Sequence, residues 1–195
     1  GRIAREGVRA VIAGRPNAGK SSLMNAILGE GRVIVTDVPG TTRDTVEESA
    51  SLGGIPIVLV DTAGLRDSDD KVEPIGIERT EIAIRDADIV IFVIDGSREL
   101  DDEDEQVLSL VEKTDTSHVL VVFNKQDLGK ALNEESVLSR LSGARSITTS
   151  LVGSGADEAA VSVSSAVSEM LEFGITASSE SNIVTSERHL QMLRN

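Results

Sequence analysis

Cysteine, tryptophan and tyrosine are absent from the 195 residues, and phenylalanine occurs three times. Without thiols there are no disulfides and no thiolate metal sites. With so few aromatic rings there is no platform on which nucleic-acid bases could stack. Long hydrophobic runs are missing too. The longest, "DIVIFVID" at Asp88–Asp95, has the length of a strand and falls well short of the ~18 apolar residues that suggest a membrane helix. Basic residues are scarce: 19 Lys and Arg stand against 33 Asp and Glu, a net charge of −14. Such a surface repels phosphate backbones, so no direct nucleic-acid binding is expected, and a polyphosphate ligand would need a local device to hold it. No charged-then-apolar leader opens the chain, and a cytoplasmic setting without a membrane is the expectation. Gly rather than Met at position 1 fits a stretch taken from a longer protein.

What is present is an alternation of strand-like and helix-like segments. It predicts an α/β fold, a doubly wound and mostly parallel six-stranded sheet with one antiparallel edge strand. "VRAVIA" (Val8–Ala13) reads as the first buried strand, followed by a Gly-rich loop and a helix from about Gly19 to Leu28 whose Leu23, Ala26 and Ile27 share a face. Gly31–Asp44 reads as a loop. "TVEESASLGGIPIVLVD" reads as two strands around a Gly53–Gly54 hairpin signal. A helix over 75–86, the strand Asp88–Asp95, a strand in "HVLVVFNKQD" and a last strand in "ARSITTS" follow, and Val163, Val167, Met170 and Leu171 mark the buried face of a closing helix. The acidic run Asp101–Glu105 reads as a solvated helix start, where the helix dipole favours carboxylates. Beyond Glu172 the composition turns to Ser, Thr and Glu, giving a domain over 1–171 and, over 172–195, a linker with a short helix. His118 reads as a strand-edge residue and His189 as a surface one.

Four elements carry chemistry. "GRPNAGKS" (Gly14–Ser21) fits G-x-x-x-x-G-K-[ST] directly between a strand and a helix. Glycines let backbone N–H groups from Asn17 through Ala18, Gly19, Lys20, Ser21 and Ser22 curl around phosphates at a helix N-terminus. Lys20 would reach the β- and γ-phosphates and Ser21 would ligate Mg²⁺. "NKQD" (Asn124–Asp127) follows a later strand, where ligands bind in open α/β sheets. The Asp127 carboxylate can accept from guanine N1–H and the 2-amino group, which adenine does not offer; Asn124 and Lys125 complete the motif. Asp61-Thr62-Ala63-Gly64 ends an apolar strand, with Asp61 holding Mg²⁺ through water and the Gly64 N–H meeting a γ-phosphate. Thr41 and Thr42, in the loop, offer the second Mg²⁺ hydroxyl, with Thr42 as the expected ligand. These four together predict Mg²⁺-dependent GTP binding. Position 65, where many such enzymes carry a water-orienting Gln, is Leu.

"GRPNAGKSSLMN", "GTTRDTVE", "DTAGLRDSDDKVEPIGIERT" and "NKQDL" together resemble the G domain of the tRNA-modification GTPase family MnmE (TrmE), among the Era- and Der-like P-loop GTPases. The likeness runs over roughly residues 1–170, and the tail resembles that family's return into a helical domain. It implies GTP hydrolysis stimulated by K⁺, held by Asn17 with Thr36, Val38 and Thr41, in the place of an arginine finger. It implies Glu73 as the residue that activates water through a bridging water, so that Glu73, Asn17, Lys20 and Thr42 form the catalytic set. It also implies a nucleotide-dependent dimer with a second G domain, coupled through Arg43 and Arg66, and, in a full-length protein, an FAD-dependent MnmG-type partner and tRNA. The last guanine-contacting motif departs from the family pattern: "TSLVGSGAD" gives Ser150 and Leu151 as its contacts. A ribosome-assembly GTPase of the Era or Der kind, the G domain of a bacterial iron transporter, and an interaction switch with little hydrolysis stay open as alternatives.

Overall fold

Strands buried on both faces must be apolar at nearly every position, because helices cover each side of a parallel sheet. The computed structural model, which describes residues 7–30, 47–52, 54–62 and 73–171, follows that demand. Its strands are β1 (Val8–Ala13), β2 (Glu47–Leu52), β3 (Ile55–Asp61), β4 (Ile89–Asp95), β5 (Val119–Asn124) and β6 (Arg145–Thr148). The helices are α1 (Lys20–Glu30), α2 (Glu73–Arg85), α3 (Asp102–Val111), α4 (Glu134–Arg140) and a closing helix, α5, over 155–171. The sheet order is β2-β3-β1-β4-β5-β6. Every neighbouring pair is parallel except β2 with β3.

Alternating residues of each strand serve opposite layers. Ile89, Ile91 and Val93 of β4 join Leu23, Met24 and Ile27 of α1 and Val163 and Val167 of α5 on one face. On the other, Val90, Phe92 and Ile94 meet Ala83 and Ile84 of α2, Val107, Leu108 and Val111 of α3, and Val137 of α4. Edge strand β2 keeps Glu48 and Ser49 exposed, and Glu47 pairs with Arg9 at 2.8 Å; charge on an open edge discourages pairing with another chain. Leu52 lies opposite Ile55, so a tight turn that includes Gly54, at φ +83°, joins the two strands.

Three expectations are corrected. α2 begins at Glu73, two residues before the predicted start. α4, which is mostly polar and shorter than the apolar periodicity needed to announce a helix, was not expected. The acidic run does start a helix, but it is not merely solvated. Asp101 is the N-cap, accepting from the Glu103 and Asp104 N–H groups, and Asp104 reaches back to the Asp101 N–H, a reciprocal capping box. Asp104 is buried. His118 lies exposed in a 3₁₀ turn, Thr116–His118, that leads into β5. No described helix is long and apolar enough to cross a membrane. The expected linker over 172–195, with His189, lies outside the described residues.

Candidate functional site

β1 is flanked by β3 on one side and β4 on the other. The next strands, β2 and β3, lie on one side and the chain then crosses to β4 on the other, a reversal of strand order that opens a crevice at the carboxyl ends of the strands. The loop 14–19 enters that crevice and turns into α1. A Cβ on Gly14 would sit 2.4 Å from the Val93 carbonyl oxygen, so only glycine lets the chain leave β1 this close to β4. Asn17 takes the left-handed conformation at φ 61°, one that asparagine tolerates better than most side chains. It is exposed, whereas Ala18 and Lys20 are buried. The Lys20 ammonium donates to the Arg15 carbonyl at 2.7 Å, folding back over the loop.

The Ser21 hydroxyl donates to Asp61 Oδ2 at 2.9 Å. Asp61 ends β3 beside Ile12 of β1, and Thr62 donates from both its amide and its hydroxyl to the Ile12 carbonyl, at 3.3 and 3.0 Å. A hydroxyl and a carboxylate are thus brought together beside a phosphate-type loop. Oxygen donors of this kind suit a hard cation such as Mg²⁺.

The third side of the crevice comes from β5. Asn124 is buried; its Nδ2 donates to the Ala18 carbonyl at 2.9 Å and its Oδ1 accepts from the Thr149 hydroxyl at 3.2 Å. Lys125 adopts φ 64° and its ammonium donates to Asp95 Oδ2 at 2.7 Å. Burial alone would raise the Asp95 carboxyl, but hydrogen bonds from Lys125 and Ser97 outweigh it and hold the group below the ordinary aspartate value. Asp127 stands exposed, and its Oδ1 accepts from the Ser150 hydroxyl at 2.7 Å. The Gln126 amide donates to the Thr149 carbonyl, fastening the loop after β5 to the end of β6.

These pieces enclose one cavity of about 680 Å³, lined from one end to the other by Asn17, Gly19, Lys20, Ser21, Asn124, Lys125, Asp127 and Leu151, among others. The structure therefore brings together the predicted phosphate loop, the N-K-x-D motif and the departing Ser150-Leu151 segment, while Asp61 and Thr62 border the loop from β3. Glu73 stands at the first turn of α2; nothing of its side chain is described. Thr36, Val38, Thr41, Thr42, Ala63, Gly64, Arg43, Leu65 and Arg66 lie outside the described residues. Sequence reasoning missed Asp95, Arg98 and Thr149. The available signal was Asp95, an acid closing a strand that is apolar throughout and next to the strand bearing Asn124.

A family model described as 50S ribosome-binding GTPase matches residues 9–125. Curated relatives named tRNA modification GTPase MnmE include those of Clostridioides difficile (strain 630), 43% identical over 194 residues and 99% of this chain, and Bacillus subtilis (strain 168), 40% identical over 194 residues and all of this chain. The chain spans 41% of the length of each of these relatives. Among solved structures, the G domain of the T. maritima FeoB iron transporter superposes with a TM-score of 0.56 at 26% identity, over 84% of this chain and 98% of that one. The translation elongation factor SelB of Methanococcus maripaludis, in complex with GppNHp, superposes with a TM-score of 0.58 at 17% identity, over 85% of this chain and 34% of that one; this match speaks for the fold alone.

Proposed function

The chain belongs to the family of 50S ribosome-binding GTPases, with the G-domain sequence of the MnmE kind, and from that premise we propose that it binds GTP in this cavity and hydrolyses it as part of a tRNA-modifying protein. The observation that carries the reading is the single cavity lined by both the phosphate loop and the N-K-x-D motif. A loop of backbone N–H groups at the start of α1 receives the phosphates. Lys20 exchanges the Arg15 carbonyl for phosphate oxygens, and Asp127 selects guanine by accepting from its Watson–Crick edge.

Ser21 and Asp61, with Thr42, would hold Mg²⁺, which would supply positive charge beside the phosphates. Asn17, with Thr36, Val38 and Thr41, would hold K⁺, and a cation there would provide the charge that an arginine finger brings elsewhere. Glu73, at the start of α2, positions the attacking water through a second water, which relieves Leu65 of that task. A second copy of the domain meets the nucleotide face, and the full-length protein works with tRNA and an FAD-dependent MnmG-type partner.

GTP turnover in KCl against NaCl at equal ionic strength, with Mg²⁺ present, tests this. A K⁺-specific rise of about tenfold or more is expected for a charge placed at the developing transition state. Glu73→Ala should lose that turnover and still bind GTP. Background rates in both salts would leave a GTP-binding switch without hydrolysis.

A further inference from the structure

Five charged side chains link one end of the cavity to the other, and three of them belong to neither motif. Lys125, at the base-reading end, donates to Asp95 Oδ2 at 2.7 Å. Arg98 comes next. Its Nε lies 3.8 Å from the same Asp95 oxygen and its Nη1 3.2 Å from Asp101 Oδ2, while its Nη2 is 2.5 Å from Asp104 Oδ2. Asp101 Oδ2 accepts in turn from Arg15 Nη1 at 2.6 Å, and Arg15 is a phosphate-loop residue whose Nε stands 3.5 Å from Glu103. The Arg15 carbonyl is the acceptor for Lys20, so the path ends at the lysine that faces the cavity.

A single ion pair in open water contributes little. Here, however, Arg15 and Arg98 are only 23% and 30% exposed, and each guanidinium meets more than one carboxylate. The planar fork of arginine fixes direction as well as charge. The two loops are separated by more than a hundred residues of chain, and this relay sets one relative to the other.

We infer that Arg98 and Asp101 are positioning residues for nucleotide binding: they hold the phosphate loop, through Arg15, in register with the base-reading loop, through Asp95 and Lys125. The inference rests on reading the cavity as a guanine-nucleotide site. The two oxygens of Asp101 divide the work. Oδ1 accepts the Glu103 and Asp104 amides at 3.1 Å each, which caps α3, and Oδ2 takes both arginines. Asp101→Asn therefore keeps the cap, since asparagine caps as well as aspartate, and turns an amide –NH₂ toward two guanidinium groups that cannot accept.

The test measures dissociation of a fluorescent GDP, the preference for GDP over IDP, and the melting temperature, in the 195-residue chain and its Asp101→Asn, Arg15→Gln, doubly substituted and Arg98→Lys forms. Asp101→Asn is expected to melt within about 2 °C of the parent because the cap survives. It should release GDP about tenfold faster, the weight of one charge-assisted hydrogen bond, and its GDP-over-IDP preference should narrow. Arg98→Lys, with charge but no fork, should behave alike. The Arg15→Gln/Asp101→Asn pair should lose less than the sum of the two single effects, since both cut the Arg15–Asp101 link. Unchanged dissociation and preference in Asp101→Asn would overturn the inference, as would a lowered melting temperature with nucleotide parameters unmoved. If the parent chain binds neither GDP nor IDP, the site reading itself fails and takes this inference with it.

Discussion

Asn124 has both ends of its amide engaged inside the protein, toward Ala18 and Thr149, and Gly19 is the residue that makes room for it. A Cβ at Gly19 would lie 2.3 Å from Asn124 Nδ2, at a backbone φ of +111°. Gly19→Ala is thus expected to disturb the phosphate loop and the N-K-x-D motif together, with GDP binding lost in calorimetric titration. Asn124→Ala acts in the opposite way, by leaving the Ala18 carbonyl and Thr149 hydroxyl without their partner. It should lower stability by about 1–3 kcal/mol, read from the shift of a urea midpoint, and weaken GDP as well. The importance of both residues was legible from their motifs. That Asn124 braces the phosphate loop was not, because the contact spans 106 residues and no local pattern encodes such a distance. The Arg15–Asp101 pair, 86 residues apart, was hidden for the same reason.

Among the elements, the strands were the most readable, because β4 and β5 are buried at every position and their apolar runs are unbroken. α4 was unreadable: its one fully buried residue, Val137, cannot establish a helical period. The β2–β3 hairpin was announced by its glycine pair, and here the sequence also predicts a cost. Gly54→Ala meets no neighbour but must adopt φ +83°, so it should lose about 1 kcal/mol in urea unfolding, with Gly54→Asn losing less. The loop closing β4 has a pH signature. Asp95 is held below the usual aspartate value against its burial, so its contribution is complete above the unfolded-state value of about 3.9 and fades as the pH falls through the lower folded one. Urea midpoints of the parent chain should drop as the pH falls below about 4, and the drop should be shallower in Asp95→Asn.

At the scale of the whole molecule, a net charge of −14 surrounds a site read as taking a polyphosphate. Distant carboxylates repel the incoming ligand, and salt screens distant charges before near ones. Association of fluorescent GDP should therefore hold steady or quicken, by up to about threefold, as ionic strength rises from 20 to 200 mM; a steep slowing would mean that the local loop, not the global field, governs encounter. The topology bears on synthesis as well. β1 pairs with β3, 49 residues later at Val8–Ile57, and with β4, 79 later at Ala10–Ile89. At roughly 5–20 residues per second of translation, the phosphate loop waits about 5–20 s between its own appearance and that of the Asn124 that braces it. Until Asn124 is made, the newly synthesised phosphate loop lacks the side chain that holds its Ala18 carbonyl, so the site is assembled from pieces made at different times.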